Sequence, residues 1–277
     1  MPADDPCQAA GALLERAERV AVLTGAGIST ESGIPDFRSP GGLWDRYDPS
    51  QLTFDRFCAS EDTRRTYWEI ATQSYPVMRD AEPNAAHRAV AAIERAGKLL
   101  KLVTQNVDGL HHRAGSTAPA TIEIHGSAMR ATCIDCGAEH DRASVHQRVL
   151  DGQAVPSCDH CGGRLKPATV SFGQAMPERE TAEAFAAAAD CDLMIVIGSS
   201  LVVYPAAGVP EAAVRAGAPL VIVNREPTPL DAHAEVLVHG AAGESMSRIV
   251  QIAGIDAGTA ADPAGPGDPP LSGAGSR

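Results

Sequence analysis

No apolar run in the 277 residues approaches the roughly 20 needed to cross a membrane. Met1 to Ala10 carries two Asp and no basic residue, so it lacks the charged start of a secretory signal. Together these absences predict a cytoplasmic protein. Positive charge is also short, with 23 Lys and Arg against 35 Asp and Glu, a balance of −12. That excludes no enzyme class, but it disfavours nucleic acid and anionic membrane and favours basic partners such as Lys-bearing peptides. Internal repeats are absent as well. What is present in ordinary amount is apolar side chains, 44% of the chain. That share can bury a full core in one large domain, or in one domain with an inserted module.

Val20 to Leu23 reads as a buried parallel strand. Thr24, Gly25 and Gly27 then turn the chain. Glycines there let the backbone approach a diphosphate, and a following helix N-terminus would point free N–H groups at it. The dinucleotide fingerprint G-x-G-x-x-G is missing, because the next glycine is Gly33. The loop is therefore a nucleotide loop of another pattern, or only a Gly-rich turn. Ser29 to Arg38 reads as a cofactor-covering loop with Pro35 stiffening its end.

The remaining chain alternates helices and strands. Residues 9–19 predict an amphipathic helix, and residues 52–80 short helices in which Tyr67, Trp68 and Tyr75 pack. A helix runs from Pro83 to Ala96 and stops at Gly97. Leu99 to Thr104 is a strand that delivers Gln105, Asn106, Val107 and Asp108 at its C-terminal end, the edge where open α/β sheets bind ligands. Ile122 to His125 is a short strand. A lone histidine is usually structural, but His125 sits at a strand tip near a polar turn and is a general-base candidate. Further strands are expected over Ala168–Gly173, Leu193–Ile197, Leu220–Val223 and Val236–Val238. Helices are expected over Thr181–Ala189, Ala206–Ala216 and Glu244–Ile252. Gly198, Ser199 and Ser200, and then Asn224, Arg225 and Glu226, stand at strand tips. The pattern is α/β, a doubly wound parallel sheet. From Asp256 onward Gly, Pro, Ala and Ser dominate, which predicts a disordered tail over 256–277.

Cysteine is odd in number at seven, and four of the seven form two CxxC pairs, Cys133/Cys136 and Cys158/Cys161, with 21 residues between them. In a cytoplasmic chain such pairs predict one tetrahedral Zn²⁺ rather than disulfides. His140 and His160 lie close enough for a mixed Cys/His set. Four thiolates would leave no open position, so the metal would be structural.

The segments GAGISTESGIPDFR, TQNVDGLHHRAG, EIHG, the two CxxC pairs, VSFG, GSS and NRE occur in sirtuin order. Over roughly residues 10–253 the chain resembles a sirtuin, an NAD-dependent protein deacylase. The resemblance implies a Rossmann-like NAD domain from 9–39, 83–130 and 167–253, a helical module over 40–82 and a zinc module over 131–166. It implies NAD contacts from Gly25, Ala26, Gly27, Asp36, Phe37, Arg38, Gln105, Asn106, Val107, Asp108, Gly198, Ser199, Ser200, Asn224, Arg225, Glu226 and Ala242. His125 and Asn106 would be catalytic. The acyl oxygen would attack C1′ of the nicotinamide ribose and expel nicotinamide, His125 would act on the ribose hydroxyls, and water would release lysine and 2′-O-acyl-ADP-ribose. An acyl-lysine peptide would lie as an added strand between two strand edges, Val170–Gly173 and Leu201–Tyr204, meeting Val170, Phe172, Gly173, Val202 and Val203.

Two departures narrow the substrate. Gln174 stands where the family often has Glu, which removes an expected preference for basic flanking residues. The desuccinylase branch has Tyr-x-x-Arg on the helical module; here Tyr75 and Arg79 are spaced YxxxR and Tyr67 is followed by Trp68, Glu69 and Ile70. Succinyl-lysine is not expected, and the acyl chain and oligomeric state stay open. A mono-ADP-ribosyltransferase, an NAD-sensing module without turnover and a hydride-transferring dehydrogenase compete with the deacylase. The sensor conflicts with an intact His125, Asn106 and Asp108, and the dehydrogenase with the missing fingerprint.

Overall fold

The computed structural model describes residues 5–36 and 48–257. The chain enters through helix α1 (Pro6–Arg16), whose Asp5 side chain accepts the free N–H of Cys7 at 3.1 Å. Strand β1 (Val20–Thr24) follows, fully buried. Residues 52–80 do not break into short helices throughout. After α2 (Phe54–Ala59) a single 20-residue helix, α3 (Glu61–Asp80), takes the rest. Ser60 accepts from Thr63 N at its start, and Trp68, Ile70, Ala71 and Tyr75 line its buried side. Helix α4 (Ala85–Arg95) is capped reciprocally: Asn84 accepts from Ala86 N and His87 N, and His87 Nδ1 accepts from Asn84 N.

Strands β1, β2 (Leu99–Thr104), β3 (Thr121–Glu123), β7 (Leu193–Ile197), β8 (Leu220–Val223) and β9 (Val236–Val238) form one six-stranded sheet in the order β3-β2-β1-β7-β8-β9. Every pairing in it is parallel, and the one-turn helix α5 (Leu110–Arg113) lies between β2 and β3 in the chain. Alternate residues of the central strands face opposite ways. Val20, Val22, Ile195, Ile197 and Val223 meet α1, α4 and α9 (Ala242–Ile252). Ala21, Leu23, Met194, Val196 and Ile222 meet α7 (Glu178–Asp190) and α8 (Gly208–Arg215). Helices on both faces explain why the strands read as unbroken apolar runs. The chain winds outward from β1 to β3 and then from β7 to β9 in the other direction. The strand order therefore reverses between β1 and β7, and the carboxyl ends of those two strands mark the crevice where such sheets take ligands.

The second sheet is antiparallel, β5-β4-β6, built from β4 (Gly126–Cys133), β5 (Glu139–Asp141) and β6 (Leu165–Thr169). It packs with α6 (Arg142–Leu150) and α3 around Trp68, Ala131, Cys133, Val145 and Leu165. No helix among the described residues is long and apolar enough to cross a membrane.

Several expected boundaries move. The turn after Thr24 enters a 3₁₀ helix, Ala26–Ser32, not an α-helix, and it ends at Gly33 with φ +82°. The strand expected over Ala168–Gly173 is shifted earlier, since β6 ends at Thr169. Ser171 and Gln174 close a turn there, Gln174 N donating to Ser171 O at 2.9 Å and Ser171 N to Gln174 Oε1 at 3.1 Å. Leu201–Tyr204 is likewise no strand: Leu201 has φ +53°, and a cis Tyr204–Pro205 bond precedes α8. The predicted tail, from 258 onward, lies outside the described residues, as do Phe37 and Arg38.

Candidate active site

The β1 and β7 tips are pressed together by backbone. Gly25 N donates to Ile197 O at 3.0 Å, and Gly27 N donates to Gly198 O at 2.8 Å. A Cβ on Gly27 would lie 2.8 Å from Gly198 Cα, and one on Gly198, at φ +61°, would lie 2.2 Å from Ile28 N. These glycines let two loops touch each other, a role distinct from touching a diphosphate. Ser199 is held beside them, since Gln105 Nε2 donates to Ser199 Oγ at 2.9 Å and reaches Thr24 O at 3.4 Å.

Behind the tips lies a closed polar network. Ser29 Oγ donates to Asp108 Oδ2 at 2.7 Å and accepts from Asn106 Nδ2 at 3.0 Å. It also meets His87 Nε2 at 3.4 Å. Because His87 Nδ1 accepts from Asn84 N, the ring proton sits on Nε2 and points at Ser29. That one hydroxyl thus uses its donor and both lone pairs. Burial holds His87 neutral, down at about 4. Burial also pushes Asp108 up, against the pull of Leu110 N and Ser29. Thr24 Oγ1 donates to Thr104 Oγ1 at 2.8 Å and meets His111 Nε2 at 3.0 Å, and burial takes His111 well below its ordinary range. Neither imidazole is a cation at neutral pH, so neither gives Asp108 an ionic partner.

His125 lies one residue beyond Ile124, whose N–H extends the β3 pairing by donating to Thr104 O at 3.0 Å. Its Nδ1 is 3.1 Å from Gln105 O. A carbonyl can only accept, so Nδ1 carries the proton and Nε2 keeps a bare lone pair. Burial lowers the pKa of the ring, partly offset by that carbonyl, and keeps it neutral. Its own carbonyl accepts Val170 N at 2.8 Å, so the candidate base and the candidate substrate segment share a backbone bond. Phe172, Val202 and Tyr204 are about half exposed or more, at 48%, 51% and 64%. Gly173 is exposed and Val203 half-buried.

At the far sheet edge Asn224 Nδ2 donates to Glu226 O at 2.7 Å, and the Arg225 and Glu226 side chains are exposed. Ala242 opens α9 and is buried; the neighbouring Gly243 N donates to Glu31 Oε1 at 2.9 Å. Asp36 and Ser200 are half-buried and exposed, respectively.

Cys133, Cys136, Cys158 and Cys161 place their sulfurs within 4.8 Å of one another. Cys133 Sγ and Cys161 Sγ are 3.6 Å apart, Cys136 Sγ and Cys158 Sγ 3.8 Å. Tetrahedral zinc–thiolate bonds of about 2.3 Å put sulfurs about 3.8 Å apart, so the set fits one Zn²⁺. His140 does not join the four. Its Nε2 lies 3.2 Å from Cys158 Sγ, the position of a donor supporting a ligand.

Ser29, His87, Thr104 and His111 were not singled out as site residues by sequence reasoning. The signal for His87 is present in the sequence as the third residue after the Asn84 cap, and for Thr104 as the polar residue that closes the Leu99–Thr104 strand.

Comparison with known proteins places this geometry in a family. The Sir2 family matches residues 25–205. NAD-dependent protein deacetylase 1 of Bradyrhizobium diazoefficiens is 45% identical over 240 residues, covering 87% of this chain and 93% of that protein. NAD-dependent protein deacylase 2 of Archaeoglobus fulgidus is 41% identical, covering 90% of this chain and 96% of its own. A solved Sir2 structure with a p53 peptide and NAD⁺ superposes with a TM-score of 0.79 at 37% identity, covering 88% of this chain and 96% of that one.

Proposed function

The chain belongs to the Sir2 family, and from that premise we propose how it works as an NAD-dependent protein-lysine deacylase. The observation that carries the reading is the His125 ring: fixed through Nδ1, bare at Nε2, and kept neutral by burial. A base so prepared accepts a proton without first losing one. NAD is a co-substrate, held at the β1/β7 crevice by the 25–27 loop, Asp36, Phe37, Arg38, Gln105, Ser199 and the tips at Asn224 and Ala242. The Ser29 hydroxyl orients Asn106 and Asp108 toward the ribose and carboxamide. The acyl oxygen displaces nicotinamide from C1′, His125 Nε2 takes a proton from a ribose hydroxyl, and water then completes release of lysine and 2′-O-acyl-ADP-ribose.

The 9–39, 83–130 and 167–253 segments form the NAD domain in this proposal, with 40–82 and 131–166 as the helical and zinc modules. The peptide lies between the Val170–Gly173 and Leu201–Tyr204 loops, with Val170 O accepting the acyl-lysine N–H. Neither loop is already paired as a strand, which leaves backbone groups for an added one. The acyl group is acetyl or a larger uncharged one. In support, Tyr75 is buried with Arg142 at 4.4 Å from its ring, and Arg79 is paired with Asp80 at 2.7 Å, so the two form no receptor for an acid. A cytoplasmic location suits four thiolates that must stay reduced, and the net charge of −12 suits basic peptides over nucleic acid or membrane.

The test is His125→Ala. Deacylation falls by about 10² to 10⁴, while NAD affinity stays within a few fold and nicotinamide exchange partly survives. A variant with full deacylase activity refutes the assignment.

A further inference from the structure

Most polar groups of the turn that follows β6 are already bonded within the chain. Val170 N donates to His125 O at 2.8 Å, and Ser171 N donates to Gln174 Oε1 at 3.1 Å. Ser171 O accepts from Gln174 N at 2.9 Å, and Phe172 O accepts from Phe54 N, at the start of α2, at 2.9 Å. Lys166 Nζ donates to Thr169 O and reaches Thr169 Oγ1 at 3.5 Å. The Tyr67 hydroxyl, carried by α3, lies 3.2 Å from Thr169 Oγ1 and 3.3 Å from Ser171 Oγ. Val170 O is different: no hydrogen bond reaches it among the described residues.

Lys166 is 1% exposed, and no carboxylate pairs with it among the described residues. A buried ammonium is costly unless its N–H groups are satisfied. Here the turn itself satisfies them, through Thr169 O and, at 3.4 Å, Pro167 O. Lys166 Nζ also lies 5.4 Å from the centre of the Tyr67 ring. An apolar side chain would fill the same space without that cost, so packing alone does not call for the charge. Tyr67 is anchored in turn, its ring edge-on to the buried Phe57 with centroids 5.1 Å apart. One hydroxyl and one ammonium thus tie the turn to the structure behind it.

We propose that Tyr67 and Lys166 are positioning residues for the acyl-lysine substrate, a role that rests on the deacylase reading above. They hold Thr169 and Ser171 from behind, so that Val170 O is the acceptor presented to the acyl-lysine N–H. The Val170 N bond keeps that acceptor in register with His125. None of the contacts that hold the turn involves Asn106, Asp108 or Ser199, so their loss falls on the peptide and not on NAD.

Tyr67→Phe is the probe, because it deletes only the hydroxyl and keeps the ring against Phe57. The KM for an acetyl-lysine peptide should rise about 2- to 10-fold, as expected for one lost hydrogen bond, with kcat and the KM for NAD unchanged within about twofold. Ser171→Ala should also raise the peptide KM but add little on top of Tyr67→Phe, because both remove the same contact. Hydrogen exchange read by mass spectrometry needs no turnover. The fragment holding residues 169–174 should exchange severalfold faster in Tyr67→Phe and in Lys166→Met, with the 193–197 strand unchanged. Unchanged exchange in that fragment, full additivity of Tyr67→Phe and Ser171→Ala, or a loss shared equally by kcat and the KM for NAD overturns the proposal. If the unaltered chain turns over no acyl-lysine peptide, the deacylase reading fails, and the exchange comparison still decides whether Tyr67 and Lys166 hold the turn.

Discussion

Gly198 is where the two loops of the crevice meet, and its replacement by Ala has a calculable cost. At φ +61° a side chain adds about 1–2 kcal/mol of backbone strain. The new Cβ would also lie 2.2 Å from Ile28 N and 2.9 Å from Gly27 Cα. Both are backbone atoms tied into the 3₁₀ turn, so they cannot swing away, and overpacking of this kind costs about 1–3 kcal/mol. Together the loss is about 2–5 kcal/mol, a large share of the 5–15 kcal/mol typical of a folded chain. Gly33 supplies the control. It has φ +82°, but nothing lies within 4 Å of its Cβ position, so Gly33→Ala should show the strain alone. Urea unfolding of both variants, with NAD affinity measured in parallel, checks this. Gly198→Ala should be the less stable by about 1–3 kcal/mol and should bind NAD more weakly. Equal losses in the two variants would refute the contact between the loops.

Two further perturbations probe the supports of the site. Cys158→Ala should lose zinc and unfold the β4–β6 module, because binding free energy of a closed thiolate site is folding free energy; zinc analysis and circular dichroism check it, and a folded, active, zinc-free protein would refute it. His87 takes a proton at 6.5 when unfolded but only at about 4 when folded. Its contribution is whole above 6.5 and drains away as pH falls toward 4, by about 3 kcal/mol. Replacing it with Gln should flatten the acid limb of the stability curve by about that much, read from urea midpoints between pH 4 and 7.

The central sheet is legible in the sequence because its physics is local. Leu193–Ile197 is five apolar residues closed by a glycine, and both of its faces are covered. The cysteine pairs are legible because thiolate spacing constrains the metal directly. The strand at Ala168–Gly173 is misplaced because what ends it is the pairing of Ser171 with Gln174 and the register of β6 against β4, neither of which has a composition signal. Leu201–Tyr204 misleads for a related reason: Leu201 is buried and Val202 and Tyr204 are exposed, but they sit in a turn, so alternation does not mean pairing. Arg142 lies beyond sequence reasoning altogether. A charged residue opening a helix reads as solvated, and only the packing of α3 against α6 buries it. Ser29 is similar, since its partners lie 58, 77 and 79 residues away in the chain.

The most direct test of the account is to incubate the purified chain with NAD and an acetyl-lysine peptide and to follow nicotinamide and acyl-ADP-ribose together by mass spectrometry. The account predicts one nicotinamide and one 2′-O-acetyl-ADP-ribose for each lysine freed, with formation of acetyl-ADP-ribose slowed by about 10² to 10⁴ in His125→Ala. Nicotinamide without acyl-ADP-ribose, NADH, or no turnover with any acyl-lysine peptide would contradict it.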